Sequence, residues 1–235
     1  MIDYQILIPA FNASDTLPQL LREINQLDYK PTEILVVDDG SCDDTASIAQ
    51  QMNVKTLRLK ANKGKGYALK KGWQHLINDP ETDYILFIDA DLQHPVTSIP
   101  KFLDHAYRHK CKFIIGKRDI AINKMPIHRI LSNKITSFII SILTGQAIED
   151  SQCGFRLIHK EVLKKIQLFE NGFQLESEII LRAAEIPVQI NFISIPTLYN
   201  GEKSNIGNFQ DTFKFIKLVL KEIIRKAPCI LKNRD

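Results

Sequence analysis

Short runs of apolar residues alternate with segments of helical spacing along the first half of this chain. Five runs are nearly continuous in apolar residues, as strands covered on both faces are, and they lie at residues 4–8, 33–37, 54–59, 84–88 and 112–116. Helical periodicity occupies the intervals between them, at residues 15–27, 43–52, 65–77 and 97–108. Alternating strands and helices form βαβ units, so the sequence predicts an α/β domain with a Rossmann-like, mostly parallel central sheet flanked by helices.

Polar sequence follows three of these predicted strands. IPAFN ends the first, VVDDGSCDD ends the second, and FIDADLQHP ends the fourth. Ligands of such sheets bind at the carboxyl ends of the strands. We therefore expect a binding site where these three segments meet.

The segment DADLQ is the first part of that site with recognisable chemistry. Asp89 and Asp91 lie two residues apart just beyond a strand, and the amide of Gln93 follows. Two carboxylates with an amide suit a hard cation such as Mg²⁺ or Mn²⁺, whose coordination shell phosphate oxygens would complete. In the alternative interpretation, Asp91 begins a turn and Asp89 caps a helix.

The second strand and the third helix supply further polar groups. Asp38 and Asp39 precede Gly40, which permits a tight turn, and a carboxylate there can accept hydrogen bonds from a nucleobase or a ribose. Lys65 lies between two glycines at a helix start, in the sequence NKGKG, where backbone N–H groups and a cation can approach a diphosphate. An ordinary turn and a solvated lysine cluster are the alternatives.

Composition narrows the class of protein. The 235 residues are 44% hydrophobic and 25% charged, which is typical of one globular domain, and a net charge of only +4 argues against a dedicated nucleic-acid binder. The four cysteines form no CxxC pair and the histidines form no HExxH, which favours a reduced cytosolic protein without structural zinc. We also expect no secretory leader, because MIDYQILIPAF lacks a basic start and a cleavage site. We expect no spanning helix, because no run approaches the roughly 18 to 20 apolar residues required.

The motifs together are more specific than any one of them. PAFN, VVDDGSCDDT, NKGKG and DADLQHP, in this order and spacing, resemble the N-terminal half of family 2 glycosyltransferases with the GT-A fold. DSQCGFR (150–156) and GFQLESEIILRA (172–183) extend the resemblance and look most like the dolichyl-phosphate mannose synthase and polyprenyl-phosphate glycosyltransferase branch. We therefore expect a GT-A catalytic domain over residues 1–208 and a C-terminal basic amphipathic helix over residues 209–235.

The resemblance implies roles for individual positions. Donor contacts are implied for Pro9, Ala10, Asn12, Asp38, Asp39, Lys65, Asp89 and Ala90. Metal ligation is implied for Asp89, Asp91 and Gln93. Acceptor-phosphate contacts are implied for Arg118, Arg129, Ser132 and Lys203. The chain departs from the family pattern at Ala13, where many relatives have Glu, and at Gln174, where relatives often read GFELE.

The chemistry of such a site divides into a donor side and an acceptor side. On the donor side, a divalent ion near Asp91, assisted by Lys65 or an arginine, neutralises the departing diphosphate, and direct displacement inverts the anomeric carbon. A hydroxyl acceptor would need a general base, for which Asp150 is the best candidate. A lipid monophosphate, with a second pKa near about 6, is already ionised at pH 7 and needs cations such as Arg118 instead.

A lipid acceptor must be met at a membrane, and one segment fits that requirement. Residues 213–226 have an apolar face and a basic one, which suits a helix lying on an anionic bilayer. The apolar face contains Phe213, Ile216, Leu220, Ile223 and Ile224, and the basic one Lys214, Lys217, Lys221 and Arg225. The alternative is a helix packed on the sheet with a solvated basic side. Residues 135–148 are apolar but too short to span a bilayer, and could form a buried helix or an interfacial one.

The sequence thus predicts a metal-dependent, inverting hexosyltransferase with Mg²⁺ or Mn²⁺ as cofactor. It would move a sugar from a GDP- or UDP-sugar to a polyprenyl (dolichyl-type) phosphate, bound peripherally at the cytoplasmic face of the membrane and without a nucleic-acid partner. Two alternatives stay open. One is a GT-A enzyme that acts on a glycan or lipopolysaccharide hydroxyl, and the other is a non-catalytic nucleotide-sugar-binding protein.

Overall fold

The computed structural model describes residues 2–119, 127–196 and 208–232. The strands in these ranges are β1 (Tyr4–Ala10), β2 (Glu33–Asp38), β3 (Lys55–Arg58), β4 (Tyr84–Phe87), β5 (Phe113–Arg118), β6 (Arg156–His159) and β7 (Ile190–Ile195). The helices are α1 (Leu17–Asn25), α2 (Thr45–Gln51), α3 (Lys65–Leu76), α4 (Ile99–His109), α5 (Ile127–Thr144), α6 (Lys160–Lys165), α7 (Leu175–Ala183) and α8 (Asn208–Lys232). All five predicted strands and all four predicted helices are present, with ends shifted by a few residues.

The strands form one sheet in the order β3-β2-β1-β4-β6-β5-β7. Every neighbouring pair is parallel except those of β6, which runs antiparallel to both β4 and β5. The predicted α/β class with a mostly parallel sheet is therefore confirmed. The antiparallel strand was not predicted, and it joins the part of the sheet built from residues 4–87 to the part formed by β5 and β7.

Burial explains why the central strands are so apolar. Every residue of β1 and of β4 is buried, because each strand has a neighbour on both sides and helices over its faces. Helix α1 shows the complementary pattern, with its buried side chains at the spacing of one helical face: Leu17, Leu20, Leu21 and Ile24. These apolar layers fix the strand ends at one edge of the sheet.

The C-terminal helix α8 packs through a narrow, mixed face. Leu218 and Glu222 are buried, and Glu222 forms an ion pair with Arg182 of α7. Five of its other apolar side chains, by contrast, are exposed: Phe213, Ile216, Leu220, Ile223 and Ile224. Within the described residues, no helix has the length and apolar character to cross a membrane.

Candidate active site

The strand ends predicted to meet do meet. Strands β2, β1 and β4 are parallel neighbours, with Ala10 of β1 opposite Asp38 of β2. The N–H of Asp39 donates to the carbonyl of Ala10 at 2.8 Å, which holds the first two strands together beyond the ladder. The segments that begin at Phe11, Asp39 and Ile88 therefore leave the same edge of the sheet.

The first two of these segments are tied together by hydrogen bonds. Asn12, at φ 50°, donates its N–H to Ser41 Oγ at 2.9 Å, and its Oδ1 accepts from the N–H of Cys42 at 3.0 Å. The N–H of Ala13 donates to Thr45 Oγ1 at 2.8 Å. Asn12 therefore holds two loops in register, and a donor contact by its side chain stays a prediction.

The carboxylates of Asp38 and Asp39 face different partners. Asp38 is fully buried, accepts from the N–H of Ser41 at 2.9 Å and lies 3.3 Å from Arg58 Nε. Asp39 is also buried and accepts from the N–H groups of Lys63 (2.9 Å) and Gly64 (2.8 Å). Burial raises the pKa of Asp39 despite these hydrogen bonds, which act to lower it. Asp38 thus stabilises its own turn, while Asp39 joins β2 to the loop that precedes α3.

The glycines beside Lys65 permit a close approach between two loops. A Cβ on Gly64 would lie 2.8 Å from the carbonyl oxygen of Asn171, and one on Gly66 would lie 2.6 Å from that of Gly172. Gly64 also has φ 96°, a conformation that favours glycine. Its N–H already donates to Asp39, so this group is not available to a diphosphate in this arrangement.

Lys65 bridges two carboxylates from distant parts of the chain. Its Nζ lies 2.7 Å from Asp89 Oδ1, 2.8 Å from Asp89 Oδ2 and 2.7 Å from Glu176 Oε1. Burial acts to lower the pKa of Lys65, but the charges of Asp89 and Glu176 outweigh it and raise the pKa. Burial acts in turn to raise the pKa of Asp89, and Lys65 overcomes it and lowers the pKa. Asp89, a predicted metal ligand, thus already has a cation supplied by the chain.

The rest of the DADLQ segment lies at the rim of the site. Asp91 is partly exposed, and its Oδ1 accepts from the N–H of Gln93 at 3.0 Å. In the ranges that the structure describes, no group of three or more His, Cys, Asp or Glu side chains is arranged to hold a metal ion. Ligation by Asp89, Asp91 and the amide of Gln93 stays a prediction.

The second half of the chain contributes a buried ion pair. Arg118, at the end of β5, donates from Nε to Asp150 Oδ2 at 2.8 Å and from Nη2 to Oδ1 at 3.0 Å. Burial acts to raise the pKa of Asp150, but the guanidinium outweighs it and lowers the pKa. The two predicted catalytic groups on the acceptor side are therefore partners in one bidentate pair.

Arg156 and His94 belong to the site although no role was predicted for them. Arg156 is buried and donates to the carbonyls of Ser151 (3.0 Å), Cys153 (2.7 Å) and Glu176 (2.7 Å). It thus holds the loop after Asp150 and the start of α7 together. The imidazole of His94 stacks on Phe155, and burial lowers its pKa to about 4, so it is neutral at pH 7. Arg156 ends the quoted motif DSQCGFR, which is the one sequence signal for it.

The remaining predicted residues are placed as follows. Pro9, Ala10 and Ala90 are buried at or just beyond the ends of β1 and β4, and their donor contacts stay predictions. Ser132 is exposed on α5. The side chain of Arg129 and all of Lys203 lie outside the described residues, so their predicted acceptor contacts stay predictions.

Sequence comparison finds relatives over most of the chain. An uncharacterised protein of Methanocaldococcus jannaschii is 31% identical over 233 residues, which cover 92% of this chain and 97% of that protein. The dolichol-phosphate mannosyltransferase of Pyrococcus furiosus is 32% identical over 75% of this chain and 52% of the enzyme. An undecaprenyl-phosphate 4-deoxy-4-formamido-L-arabinose transferase of Klebsiella pneumoniae is 29% identical over 78% of this chain and 58% of its own length. The chain thus spans little more than half of these two enzymes.

The fold also has solved counterparts. The glucosyl-3-phosphoglycerate synthase of Mycobacterium tuberculosis, in complex with Mn²⁺, UDP and phosphoglyceric acid, matches with a TM-score of 0.71 and 17% identity over 96% of this chain and 78% of that chain. This likeness concerns the fold alone, and it confirms the predicted GT-A architecture. The Glycosyl transferase family 2 model matches residues 5–167. Because this match covers more than half of the 235 residues, the chain belongs to glycosyl transferase family 2.

Proposed function

We propose that this protein is an inverting, metal-dependent glycosyltransferase whose acceptor is the phosphate of a polyprenyl phosphate. In the reaction, a phosphate oxygen of the lipid attacks the anomeric carbon of a nucleoside-diphosphate sugar. The bond from that carbon to the diphosphate oxygen breaks as the new bond forms, and the nucleoside diphosphate leaves. The alternative acceptor, a glycan hydroxyl, would also have to lose a proton.

The observation that carries this choice is the state of Asp150. A general base works best when its pKa lies near the working pH. The pKa of Asp150 is instead lowered by Arg118, which occupies both of its carboxylate oxygens at 2.8 and 3.0 Å. A carboxylate held in this way is a weak base, whereas a phosphate acceptor, ionised at neutral pH, requires no base.

Arg118 can serve a phosphate while it is paired. A guanidinium has five N–H donors, and the contacts with Asp150 use one on Nε and one on Nη2. The remaining donors are available to an acceptor phosphate, and the planar guanidinium suits phosphate geometry. Asp150 then orients Arg118 rather than acting on the substrate itself.

On the donor side, the nucleotide and diphosphate would bind where β1, β2 and β4 end. The oxygens of Asp89, Asp91 and Gln93 are of the kind that Mg²⁺ or Mn²⁺ takes, and the contact of the Lys65 ammonium with Asp89 supports a site that accepts positive charge. A bound divalent ion would neutralise charge on the leaving diphosphate. Lys65 itself holds Asp89 in place between Glu176 and the loop before β6.

The relatives support the same assignment of substrates. Two of them, 32% and 29% identical, are named for dolichol phosphate and for undecaprenyl phosphate as acceptors. The GT-A neighbour from Mycobacterium tuberculosis was solved with Mn²⁺ and UDP. For this chain, a divalent ion with a GDP- or UDP-sugar as donor belongs to the proposal.

A location at the cytoplasmic face of the membrane is part of this proposal. The apolar side chains of α8 are exposed, namely Phe213, Ile216, Leu220, Ile223 and Ile224. Lys217 is exposed on the same helix, whereas Lys221 pairs with Glu170 and Arg225 with Glu222. Free thiols at Cys42, Cys111 and Cys153 are consistent with a reducing compartment.

A transfer assay tests the proposal directly. The protein is incubated with a panel of GDP- and UDP-sugars and a short polyprenyl phosphate, with and without Mn²⁺, and in parallel with the corresponding polyprenol. We expect Mn²⁺-dependent transfer to the phosphate and none to the alcohol. Equal turnover of the alcohol would favour the hydroxyl alternative, and nucleotide-sugar binding without turnover of any acceptor would favour the non-catalytic one.

A further inference from the structure

Helix α5 exposes large apolar side chains along one face. Four of them are at least half exposed: Leu131 (56%), Ile135 (50%), Phe138 (66%) and Ile142 (65%). At 100° per residue these four positions fall within an arc of about 60°, so they form one continuous stripe. We call these four side chains the α5 stripe.

The opposite face of α5 is buried, and hydroxyl-bearing side chains lie on it beside the apolar Ile140. Ser137 Oγ accepts from the N–H of Ser151 at 2.9 Å and lies 3.1 Å from Ser151 Oγ, which in turn lies 3.4 Å from Thr136 Oγ1. One turn later, Ser141 Oγ accepts from the N–H of Ile148 at 2.9 Å. Hydroxyl groups thus fasten α5 to residues 148–151, the segment that carries Asp150, and the orientation of the α5 stripe toward the outside is fixed by these bonds.

Helix α8 is oriented in the same way and is connected to α5. It packs through Phe215, Leu218 and Glu222 and exposes five other large apolar side chains. Lys226 Nζ donates to the carbonyl of Leu143 at 2.5 Å, which joins the last turn of α5 to the C-terminal part of α8. Two neighbouring helices therefore both present apolar side chains outward, and isolated exposed apolar residues do not account for such an arrangement.

We propose that the α5 stripe is a bilayer-contact surface of the catalytic domain itself, which inserts into the interface of an anionic membrane beside α8. The charge around it favours lipid over a second copy of this chain. Residues 127–144 include basic side chains but no Asp or Glu, and Lys134 and Lys217 are exposed beside the two apolar faces. A second copy would oppose these cations to one another, whereas anionic head groups would neutralise them.

Contact between this surface and a bilayer would place the acceptor site at the depth of the lipid head groups. The existence of an acceptor site there rests on the proposed function. Ser151 contacts the inner face of α5, and its neighbour Asp150 holds Arg118. An α-helix with its side chains is about 10–12 Å across. With the α5 stripe in the acyl boundary, Arg118 therefore lies roughly one helix diameter away, within reach of a lipid phosphate but outside the hydrocarbon.

Tryptophan replacement tests the contact itself. Phe138→Trp keeps a large apolar side chain, and its emission is recorded with vesicles of phosphatidylcholine and phosphatidylglycerol that contain brominated acyl chains but no polyprenyl phosphate. We expect quenching relative to unbrominated vesicles, beyond the background of the native Trp73. The matched control is Tyr107→Trp on α4, at a position that is 57% exposed, and we expect no quenching there. If the Phe138→Trp variant floats with vesicles but its tryptophan emission is not quenched, membrane binding would be assigned to α8 alone and the proposal would be overturned.

A double substitution measures the contribution to binding. Phe138→Ser with Ile142→Ser should lower the vesicle partition coefficient by about tenfold, the ratio expected when two large apolar side chains lose roughly half of their burial. Tyr107→Ser should leave the coefficient unchanged, and circular dichroism confirms the fold of each variant. Unchanged flotation of the double variant would refute lipid contact. A wild-type protein that forms a dimer and does not bind vesicles, together with a monomeric double variant, would also refute it. Vesicle binding without sugar transfer to polyprenyl phosphate would instead refute the proposed function and leave this surface intact.

Discussion

Lys65→Met removes the one ammonium that separates Asp89 from Glu176. All three side chains are mostly buried, at 17%, 19% and 8% exposure for Lys65, Asp89 and Glu176, so water cannot replace the lost contact well. Removal of one partner from a buried ion pair costs about 3–5 kcal/mol, and the partial exposure of Asp89 favours the lower value. For a chain of this size each kcal/mol shifts the melting temperature by about 2–4 °C, so a loss of about 3 kcal/mol predicts a decrease of about 6–12 °C.

The same variant reveals whether Lys65 competes with a metal for Asp89. Thermal unfolding is followed with and without Mn²⁺, in the absence of nucleotide. Because the variant leaves Asp89 without its internal cation, Mn²⁺ should raise its melting temperature more than that of the wild type. The control is Lys112→Met, whose partner Glu161 is exposed. The loss of this surface pair should leave the melting temperature almost unchanged and create no response to Mn²⁺. Equal Mn²⁺ shifts in Lys65→Met and wild type, or an unchanged melting temperature, would show this reasoning to be wrong.

Three further predictions concern other groups. Arg118→Ala should lower transfer to polyprenyl phosphate by about 10²-fold or more while nucleotide binding, measured by calorimetry, is retained. Asp150→Asn should leave the shape of the pH profile between pH 6 and 9 unchanged, and the loss of an acidic limb that the wild type shows would restore Asp150 as general base. Burial acts to raise the pKa of Asp43, but hydrogen bonds, chiefly from Thr45, lower that pKa from 3.8 to about 2. The ionised carboxylate therefore stabilises the fold above pH about 4, and this stabilisation is lost as the pH falls toward 2. In urea unfolding, Asp43→Asn should remove the decrease in stability between these two pH values. Arg156→Met should cost at least about 3 kcal/mol in the same assay, because three buried carbonyls lose a charged donor, and a smaller cost would mean that water replaces it.

Local pattern was sufficient for the first half of the sheet but not for the second. Strands β1, β2, β4 and β5 contain nearly continuous apolar runs between helices, and this pattern identifies them without knowledge of their neighbours. Strand β3 (KTLR) is more polar and lies at the edge of the sheet. Strand β6 has only four residues and begins with Arg156, whose burial depends on carbonyls from two other segments. Glu176 and Glu178 are likewise buried in α7, where a periodic pattern would place apolar residues. Charged residues of this kind have partners that short-range spacing cannot reveal.

The candidate site shows the same limit. The sequence predicted correctly that Asp38, Asp89 and their neighbours lie at adjacent strand ends, because parallel strands share one carboxyl edge. It could not predict that Lys65 would reach Glu176, 111 residues away. The sequence also could not distinguish a glycine loop that binds phosphate from a glycine loop that packs against another loop of the same chain. Both need glycine, because in both the backbone is approached closely.

The antiparallel strand β6 has a consequence for how the molecule assembles. During synthesis β4 emerges about 70 residues before β6, and until β6 is inserted one edge of β4 is open to pairing with other chains. The segment that leads into β6 also carries Asp150 and Arg156, so their contacts with Arg118 and with α7 come into place together with that strand. Pairings of such long sequence separation form slowly. A nascent chain that stops before residue 150 would therefore lack both residues and expose one edge of β4.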